Sequence, residues 1–257
     1  MDVFFLEQSE ADLPAGNDWL SVNERASLNA LRVPKRRADW RLGRWTAKRA
    51  LAAYFSMLGD HRSLEDIEIR PAASGAPEAF IANRPASAAI SLSHCDGSAL
   101  CAIAPSGTAL GCDLELVEPR SPAFVADYFT AEEQALVAQA SGANSSCLPT
   151  LLWSAKESAL KALHEGLRLD TRSVTVSLPE GIATLKPDGH TRVANPDCAL
   201  EQCCSVWRPV EVRCTSGEIF RGWWQQTDAL LRTVVAAPDP SPPTVLRSAD
   251  ELTPVTH

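Results

Sequence analysis

Residues 88–117 contain three short apolar runs that are separated by tight turn signals. The first, "AAISLSH", alternates apolar and polar residues and leads into "CDG", which is typical of a hairpin turn. The runs "ALCAIAP" and "ALGCDLELV" follow, with "SGT" between them. Strands with such short connections pair antiparallel, because a parallel pair needs a crossover of a dozen residues or more. The centre of the chain therefore predicts a small antiparallel sheet.

Helical patterns precede this region, and a similar order of elements follows it. Residues 21–58 predict two helices that are broken near Pro34, and residues 121–140 predict another helix, in which Thr130 and Glu133 have capping-box spacing. Further strands are expected near "DIEIRP", "SVTVSL", "CCSVWRPV" and "FRGWWQQTDALLRTVVAA". Helices followed by a small sheet, twice over, predict an α+β fold of two similar halves in pseudo-repeat. The expected boundaries are 1–108, 109–237 and a proline-rich, disordered tail over 238–257.

The composition, 45% hydrophobic and 22% charged, is that of a soluble globular protein. No apolar stretch approaches the roughly 20 residues of a membrane span, and no basic segment precedes the first apolar residues as in a signal peptide. We therefore expect a cytoplasmic protein without a membrane partner. The net charge of −8 argues against general nucleic-acid binding. The eight cysteines lack zinc-ligand spacing and are expected to be small buried side chains.

Positive charge is concentrated in residues 25–49, where nine Lys and Arg residues stand against one acid. Arg37, Arg41, Arg44 and Lys48 recur at helical spacing, so we expect them to share one face of a helix. Such a face is either simply solvated or binds a discrete anionic ligand.

Two carboxylates lie close together in the run "ALGCDLELV". Because a strand has a period of two, Asp113 and Glu115 point to one face, and Cys112 and Leu114 point to the other. Two neighbouring carboxylates repel each other unless a positive group lies between them. They are either ordinary acids on a surface strand or ligands of a hard divalent cation such as Mg²⁺. Glycoside hydrolysis fits less well, since its two acids must face each other across the substrate.

Two further segments carry groups that are suited to a phosphate. In the predicted helix 151–163, Glu157 and Lys161 are one turn apart, as in a surface salt bridge or in a pair directed at a substrate. At the end of a predicted strand, "SLSH" places Ser91, Ser93 and His94, which either have a structural role or bind a phosphate.

The order and spacing of these motifs resemble the 4′-phosphopantetheinyl transferases, in particular their larger, monomeric, surfactin-synthetase-activating type. "GCDLE" is similar to the family's Gly-hydrophobe-Asp-hydrophobe-Glu, and "WSAKESALKA" to its Trp-Ser-x-Lys-Glu-(Ser/Ala)-x-x-Lys-(Ala/Gln). "SLSH" and "DYFTAEE" are similar to two more of its motifs. The resemblance extends from about residue 20 to residue 236.

The resemblance implies a reaction and its partners. An enzyme of this type transfers the 4′-phosphopantetheine arm of coenzyme A to a serine of an apo acyl or peptidyl carrier protein and releases adenosine 3′,5′-bisphosphate. Coenzyme A and Mg²⁺ would bind in the cleft between the two halves of a monomer. The alternatives are another Mg²⁺-dependent phosphate-transfer enzyme on the same scaffold and a non-catalytic protein that binds coenzyme A or docks carriers.

The resemblance also implies roles for the charged residues of the two central motifs. Asp113, Glu115 and Glu157 would hold the metal, which neutralises the diphosphate as a Lewis acid. Glu157 or a water on the metal is the candidate base that activates the serine. Lys161 would stabilise charge on the reacting phosphate, and Lys156 would line the same pocket.

The remaining roles concern the phosphates of the coenzyme. Ser93 and His94 would contact these phosphates, and Arg44, together with Arg37 or Arg41, would lie near the adenosine 3′-phosphate.

One position departs from the family. Many members have Gly-Lys-Pro before the Ser-His strand, whereas the corresponding stretch here is "SGAPEA", with Ala76 at the lysine position. Either Arg70 or the arginines of residues 25–49 replace that lysine, or the 3′-phosphate is held more weakly. We favour replacement because arginine is abundant nearby.

Overall fold

The structure, a computed structural model, describes residues 1–142, 144–179 and 206–246. These residues form small antiparallel sheets packed with helices, which confirms the predicted α+β class. None of the helices in the described part of the chain is long and apolar enough to cross a membrane. The helices are α1 Val22–Ala30, α2 Pro34–Met57, α3 Pro122–Tyr128, α4 Ala131–Gln139 and α5 Asn144–Ala162. The strands are β1 Phe4–Ser9, β2 Ile67–Pro71, β3 Pro77–Ile81, β4 Arg84–Pro85, β5 Ala88–Cys95, β6 Ser98–Pro105, β7 Ala109–Leu116, β8 Val174–Ser177, β9 Arg208–Cys214, β10 Ile219–Thr227, β11 Leu230–Ala237 and β12 Thr244–Val245.

Two sheets pack face to face between two long helices. A four-stranded sheet has the order β12-β1-β6-β5, and a five-stranded sheet has the order β7-β11-β10-β9-β8. Apolar side chains of β1, β6, β7 and β11 form the core between the two sheets. The outer face of the first sheet packs against α2, and α5 covers the outer face of the second. A smaller sheet, β2-β3-β4, extends the core under α2.

The three central strands form as predicted, but they do not belong to one sheet. β5 and β6 make a hairpin whose turn residues, Asp96 and Gly97, both have positive φ, as a type I′ turn requires. β7, however, pairs with β11 of the other sheet and not with β6. The reason is its alternation: Leu110, Cys112 and Leu114 pack between the two sheets, so β7 faces β6 across the core instead of lying beside it.

A buried ion pair ties α1 to α2. Ser21 and Glu24 form a capping box at the start of α1, and the Glu24 side chain is almost fully buried. Its carboxylate forms an ion pair with the fully buried Lys48 of α2 and also accepts the backbone N–H of Ile69 in β2, at 3.0 Å. Lys48 therefore points into the core. Arg44, one turn earlier on α2, approaches the same Glu24 carboxylate at 4.0 Å, so these two cations lie on one face of the helix, as predicted. The apolar neighbours of Lys48 along the helix, which include Ala47 and Leu51, show the same inward direction.

The second half repeats this arrangement. The predicted capping box of Thr130 and Glu133 is present, but it begins a separate helix, α4, because the single helix expected over 121–140 is interrupted at Phe129. Glu133 is buried, forms an ion pair with Lys156 of α5 at 2.8 Å and accepts the N–H of Val176 in β8 at 2.9 Å. Each half thus contains its own capping-box glutamate, Glu24 or Glu133, which joins a lysine of a long helix to a strand. The wider pseudo-repeat stays a prediction, since the strand orders of the two sheets differ.

The predicted disordered tail is ordered where the structure describes it. Residues 238–246 return to the first half of the chain, and β12 pairs in parallel with β1. Thr244 donates its backbone N–H to Val3, and Leu246 donates to Phe5. Leu246 is buried in the core beneath α2, which explains why the segment is fixed despite its prolines. The prediction of disorder is therefore wrong for 238–246, and residues 247–257 lie outside the described residues.

Replacing Leu246 by alanine should destabilise the protein by about 2–4 kcal/mol, because it leaves a cavity in the core. The neighbouring Val245 is 56% exposed, so Val245→Ala is a matched control that should change the free energy of unfolding by less than about 0.5 kcal/mol. Urea denaturation of the two variants measures both values. Equal effects of the two substitutions would contradict the docking of this segment.

Candidate active site

Close contact between β7 and α5 builds the candidate site. A Cβ atom on Gly111 would lie 1.7 Å from the backbone oxygen of Ser158, so only glycine lets the helix approach the strand at this point. Strand alternation then directs Asp113 and Glu115 to the same side as Gly111, toward α5. Cys112 faces the opposite side, as predicted. The glycine of "GCDLE" thus positions its two carboxylates against the helix that carries "WSAKESALKA".

Four of the predicted site residues come together where β5, β7 and α5 meet. The Lys161 ammonium lies 2.7 Å from Asp113 Oδ1 and 3.9 Å from Glu157 Oε2. Ser93 Oγ donates to Asp113 Oδ1 at 2.8 Å and accepts from Lys161 at 3.2 Å. The main partner of Lys161 is therefore Asp113 across the cleft and not Glu157 on its own helix. This geometry argues against an ordinary surface salt bridge between Glu157 and Lys161.

Glu115 completes this group, which we call the carboxylate cluster: Asp113, Glu115 and Glu157, together with Lys161 and Ser93. Both carboxylate oxygens of Glu115 already accept a hydrogen bond, Oε2 from Arg120 at 2.8 Å and Oε1 from the indole N–H of Trp153 at 3.0 Å. Neither Trp153 nor Arg120 is among the candidate site residues that the sequence predicts. The one available signal for Arg120 was its position shortly after the second carboxylate.

Burial and mutual repulsion raise the pKa of two carboxyls in the cluster. Burial is the main cause for both Glu115 and Glu157, and the Asp113 carboxylate adds to each shift. Arg120 opposes the shift at Glu115, and Lys161 opposes it at Glu157. Burial alone would lower the pKa of Lys161, but Asp113 and Glu157 outweigh that effect, so the pKa is raised and the ammonium form is favoured. The cluster is thus a negatively charged site with one firmly protonated lysine.

One oxygen of the cluster has no partner. Asp113 Oδ2 is buried and accepts no hydrogen bond from any described residue. A buried acceptor without a partner costs free energy, and a bound cation would remove that cost. Within residues 1–142, 144–179 and 206–246, no three His, Cys, Asp or Glu side chains form a ready-made metal cage. Mg²⁺ does not need one, since it binds through one or two carboxylates, waters and the phosphates of a substrate. The residues therefore fit Mg²⁺ in that open mode.

The structure does not bring Lys156 to this cluster. Its side chain is fully buried on another side of α5, where it forms an ion pair with Glu133 and donates to the backbone oxygens of Thr171 and Val174. Burial lowers its pKa, and Glu133 opposes that shift. The expectation that Lys156 lines the pocket of Lys161 does not fit these contacts. Lys156 instead joins α5 to α4 and β8.

Ser93 and His94 lie on opposite faces of β5. Ser93 is buried against Asp113 and Lys161, as described above. His94 points toward the start of α2, where its imidazole is largely exposed and lies 3.8 Å from Asp39. The structure thus brings the serine to the cluster and leaves the histidine beside the basic helix.

The arginines of α2 that were predicted to bind a phosphate have different contacts. Arg37 donates to the backbone oxygens of Leu28 and Leu31 at the end of α1, and Arg41 donates to three carbonyls of residues 14–16. Both hold backbone segments through neutral acceptors. Their role toward a phosphate stays a prediction.

Arg44 lines a cavity of about 390 Å³ between α1, α2 and β2. It stacks on Trp40 at 4.8 Å and approaches Glu24 at 4.0 Å, and burial lowers its pKa. Arg70 lines the same cavity and forms an ion pair with Glu68 at 2.8 Å. Arg70 and one arginine of residues 25–49, which were alternative candidates for replacing the missing lysine, therefore share one cavity.

A comparison with protein-family models matches the same part of the chain. No curated protein matches the chain. The family model described as the 4′-phosphopantetheinyl transferase superfamily matches residues 109–199, a segment that starts with β7 and contains α5. That family is one of transferases that move phosphopantetheine to carrier proteins. The resemblance of this chain to the 4′-phosphopantetheinyl transferase superfamily is therefore confirmed over residues 109–199.

Proposed function

We propose that the protein transfers the 4′-phosphopantetheine arm of coenzyme A to a serine of an apo acyl or peptidyl carrier protein and releases adenosine 3′,5′-bisphosphate. The observation that carries the proposal is the carboxylate cluster, where Asp113 pairs with Lys161 through Oδ1 and keeps Oδ2 unpartnered, and where Lys161 also lies 3.9 Å from Glu157. Such a cluster suits a diphosphate and a divalent cation, and the family match over the same segment points to the same reaction.

In this reaction the serine oxygen of the carrier forms a bond to the phosphorus that bears the pantetheine arm. The bond between that phosphorus and the bridging oxygen breaks, and the adenosine bisphosphate leaves with the electron pair. Carboxylates of the set Asp113, Glu115 and Glu157, together with waters and the phosphates of the substrate, would hold Mg²⁺, which would supply charge neutralisation as a Lewis acid. Lys161 donates from Nζ to a phosphate oxygen as negative charge moves to the leaving group.

Glu157 is the candidate base for the serine proton. A water on the metal is the alternative base. In the protein without a metal, burial and the neighbouring carboxylates raise the pKa of Glu157, which favours proton uptake by this carboxylate. Ser93 keeps the Asp113 carboxylate in place, since its hydroxyl donates to Oδ1 and leaves Oδ2 free. In this proposal the serine Oγ loses its proton to whichever of these two groups, Glu157 or the water, acts as the base.

The adenosine end is assigned to the basic side of α2. Arg44 and Arg70 share a cavity and would replace the lysine that other family members have at the position of Ala76. Arg37 and Arg41 precede Arg44 on α2, and His94 lies beside Asp39 of the same helix. We propose Arg44 and Arg70 as the first candidates for the 3′-phosphate, because guanidinium groups bind phosphate through paired hydrogen bonds.

The test uses the full chain with coenzyme A, Mg²⁺ and apo carrier proteins from fatty-acid, polyketide, non-ribosomal-peptide and siderophore pathways. Intact-mass spectrometry should show one carrier type gaining the mass of one phosphopantetheine arm. Absence of any gain, with folding checked by circular dichroism, would overturn the proposal. Cleavage of coenzyme A without a carrier would instead favour another Mg²⁺-dependent phosphate-transfer enzyme.

A further inference from the structure

Arg120 contacts the carboxylate cluster at Glu115, whereas Lys161 contacts it at Asp113. One guanidinium nitrogen donates to Glu115 Oε2 at 2.8 Å, and another donates to Glu118 Oε1 at 3.1 Å. The guanidinium also lies over the ring of Phe124, at 5.2 Å from its centroid. The side chain is only 15% exposed, so it is held in place by these contacts instead of moving freely in solvent.

Charge balance makes this position informative. The cluster contains three carboxylates, those of Asp113, Glu115 and Glu157, and two cations neutralise them in part. Lys161 is paired with Asp113, which leaves Arg120 as the counterion of Glu115. A divalent cation that uses Glu115 must therefore share this carboxylate with a guanidinium or displace it.

We propose that Arg120 competes with the divalent cation for Glu115 and so sets the cation affinity of the carboxylate cluster. The proposal rests on the proposed function, because it assumes that the cluster holds a cation. A guanidinium hydrogen-bonded to a carboxylate lies within about 6 Å of a cation on the same carboxylate, whose bond length is about 2 Å. Even at the dielectric constant of water, repulsion over that distance lowers the affinity by about tenfold.

Arg120 also orients Glu115 through its hydrogen bond, an effect that by itself would favour cation binding. Trp153, however, holds the other oxygen of the same carboxylate at 3.0 Å, and the strand backbone of β7 fixes its Cα. The orientation of Glu115 therefore survives without Arg120, and the loss of repulsion dominates. The consequence is a cluster that binds the free cation weakly and gains affinity when the diphosphate of a substrate adds negative charge.

The test measures the binding of Mn²⁺ alone to the full-length protein, by the electron paramagnetic resonance signal of the free ion. Arg120→Gln should bind Mn²⁺ about tenfold more tightly than the wild type, whereas Arg120→Lys, which keeps the charge, should stay within about threefold of it. Arg213→Gln is the matched control: Arg213 is exposed on β9 and paired with Glu211, and its loss changes the net charge equally. Asp113→Asn should remove the binding of Mn²⁺ both in the wild type and in Arg120→Gln.

An affinity of Arg120→Gln equal to that of Arg213→Gln, or weaker than that of the wild type, would overturn the competition. Wild-type protein that binds no Mn²⁺ in an Asp113-dependent way would overturn it as well. The carrier-mass assay tests the proposed function separately. If the wild type transfers phosphopantetheine but Arg120→Gln has the wild-type affinity for Mn²⁺, this inference is refuted and the proposed function stands.

Discussion

Asp113→Asn should reduce the transfer of phosphopantetheine by about 10³-fold or more, because it removes a charge that both the cation and the phosphate chemistry need. Asparagine keeps the shape of the side chain and one acceptor oxygen, which can still bind Ser93 and Lys161. Its NH₂ group takes the place of the unpartnered Oδ2, so that this position becomes a donor and the side chain carries no charge. The measurement is kcat/KM with an apo carrier that the wild type modifies.

A matched control separates this effect from a general loss of negative charge. Asp170 lies in the same half of the chain, is exposed and is paired with Arg172, so Asp170→Asn should leave kcat/KM within about twofold. If Asp113→Asn keeps more than about a tenth of the wild-type kcat/KM, Asp113 is not part of the chemistry. Thermal unfolding of both variants checks that the fold survives.

The parts of the site that sequence could predict are those that follow from local periodicity. A period of two places Asp113 and Glu115 on one face of β7, and the structure shows both side chains directed toward α5. A period of 3.6 places Lys161 one turn after Glu157, and Lys161 lies close to both Glu157 and the strand carboxylate of Asp113. The hairpin at Asp96 and the capping box at Thr130 are equally local and were predicted correctly.

For Lys156, the family motif predicts the wrong surroundings of the side chain, whereas helical periodicity predicts the right ones. It is adjacent to Glu157 in sequence, but neighbours on a helix point about 100° apart. Lys156 is four residues after Leu152 and four before Leu160, both of which are fully buried, so it belongs to the apolar stripe. Its partner Glu133 is 23 residues earlier and could not be identified from spacing alone.

The long-range contacts were beyond such reasoning. β12 has two residues, follows several prolines and pairs with a strand about 240 residues earlier, so no local pattern predicts it. Arg120 acquires its role from a contact that depends on where the loop after β7 turns back. In both cases tertiary packing decides the outcome, because the segment itself has no strong propensity.

Lys156→Met should destabilise the protein by about 3–5 kcal/mol, because it leaves the Glu133 carboxylate buried without its counterion. The double variant Glu133→Gln/Lys156→Met should recover a large part of this loss, since it buries no unpaired charge. The free energies of unfolding of the wild type, the two single variants and the double variant form a double-mutant cycle. Lys35→Met, which removes an exposed partner of Asp39, is the control and should cost less than about 1 kcal/mol.

The same cycle distinguishes an anchor from a residue of the coenzyme pocket. If Lys156 acts only through its contacts with α4 and β8, the refolded double variant should bind coenzyme A with a Kd within about threefold of the wild-type value. A phosphate contact, by contrast, is charge-assisted and worth about 1.5–3 kcal/mol, so its loss would weaken binding by roughly tenfold or more in any background. Stability restored together with such a loss of affinity would show that Lys156 reaches the coenzyme. Recovery of both quantities would establish that the lysine next to Glu157 holds α5 in position and takes no part in the chemistry.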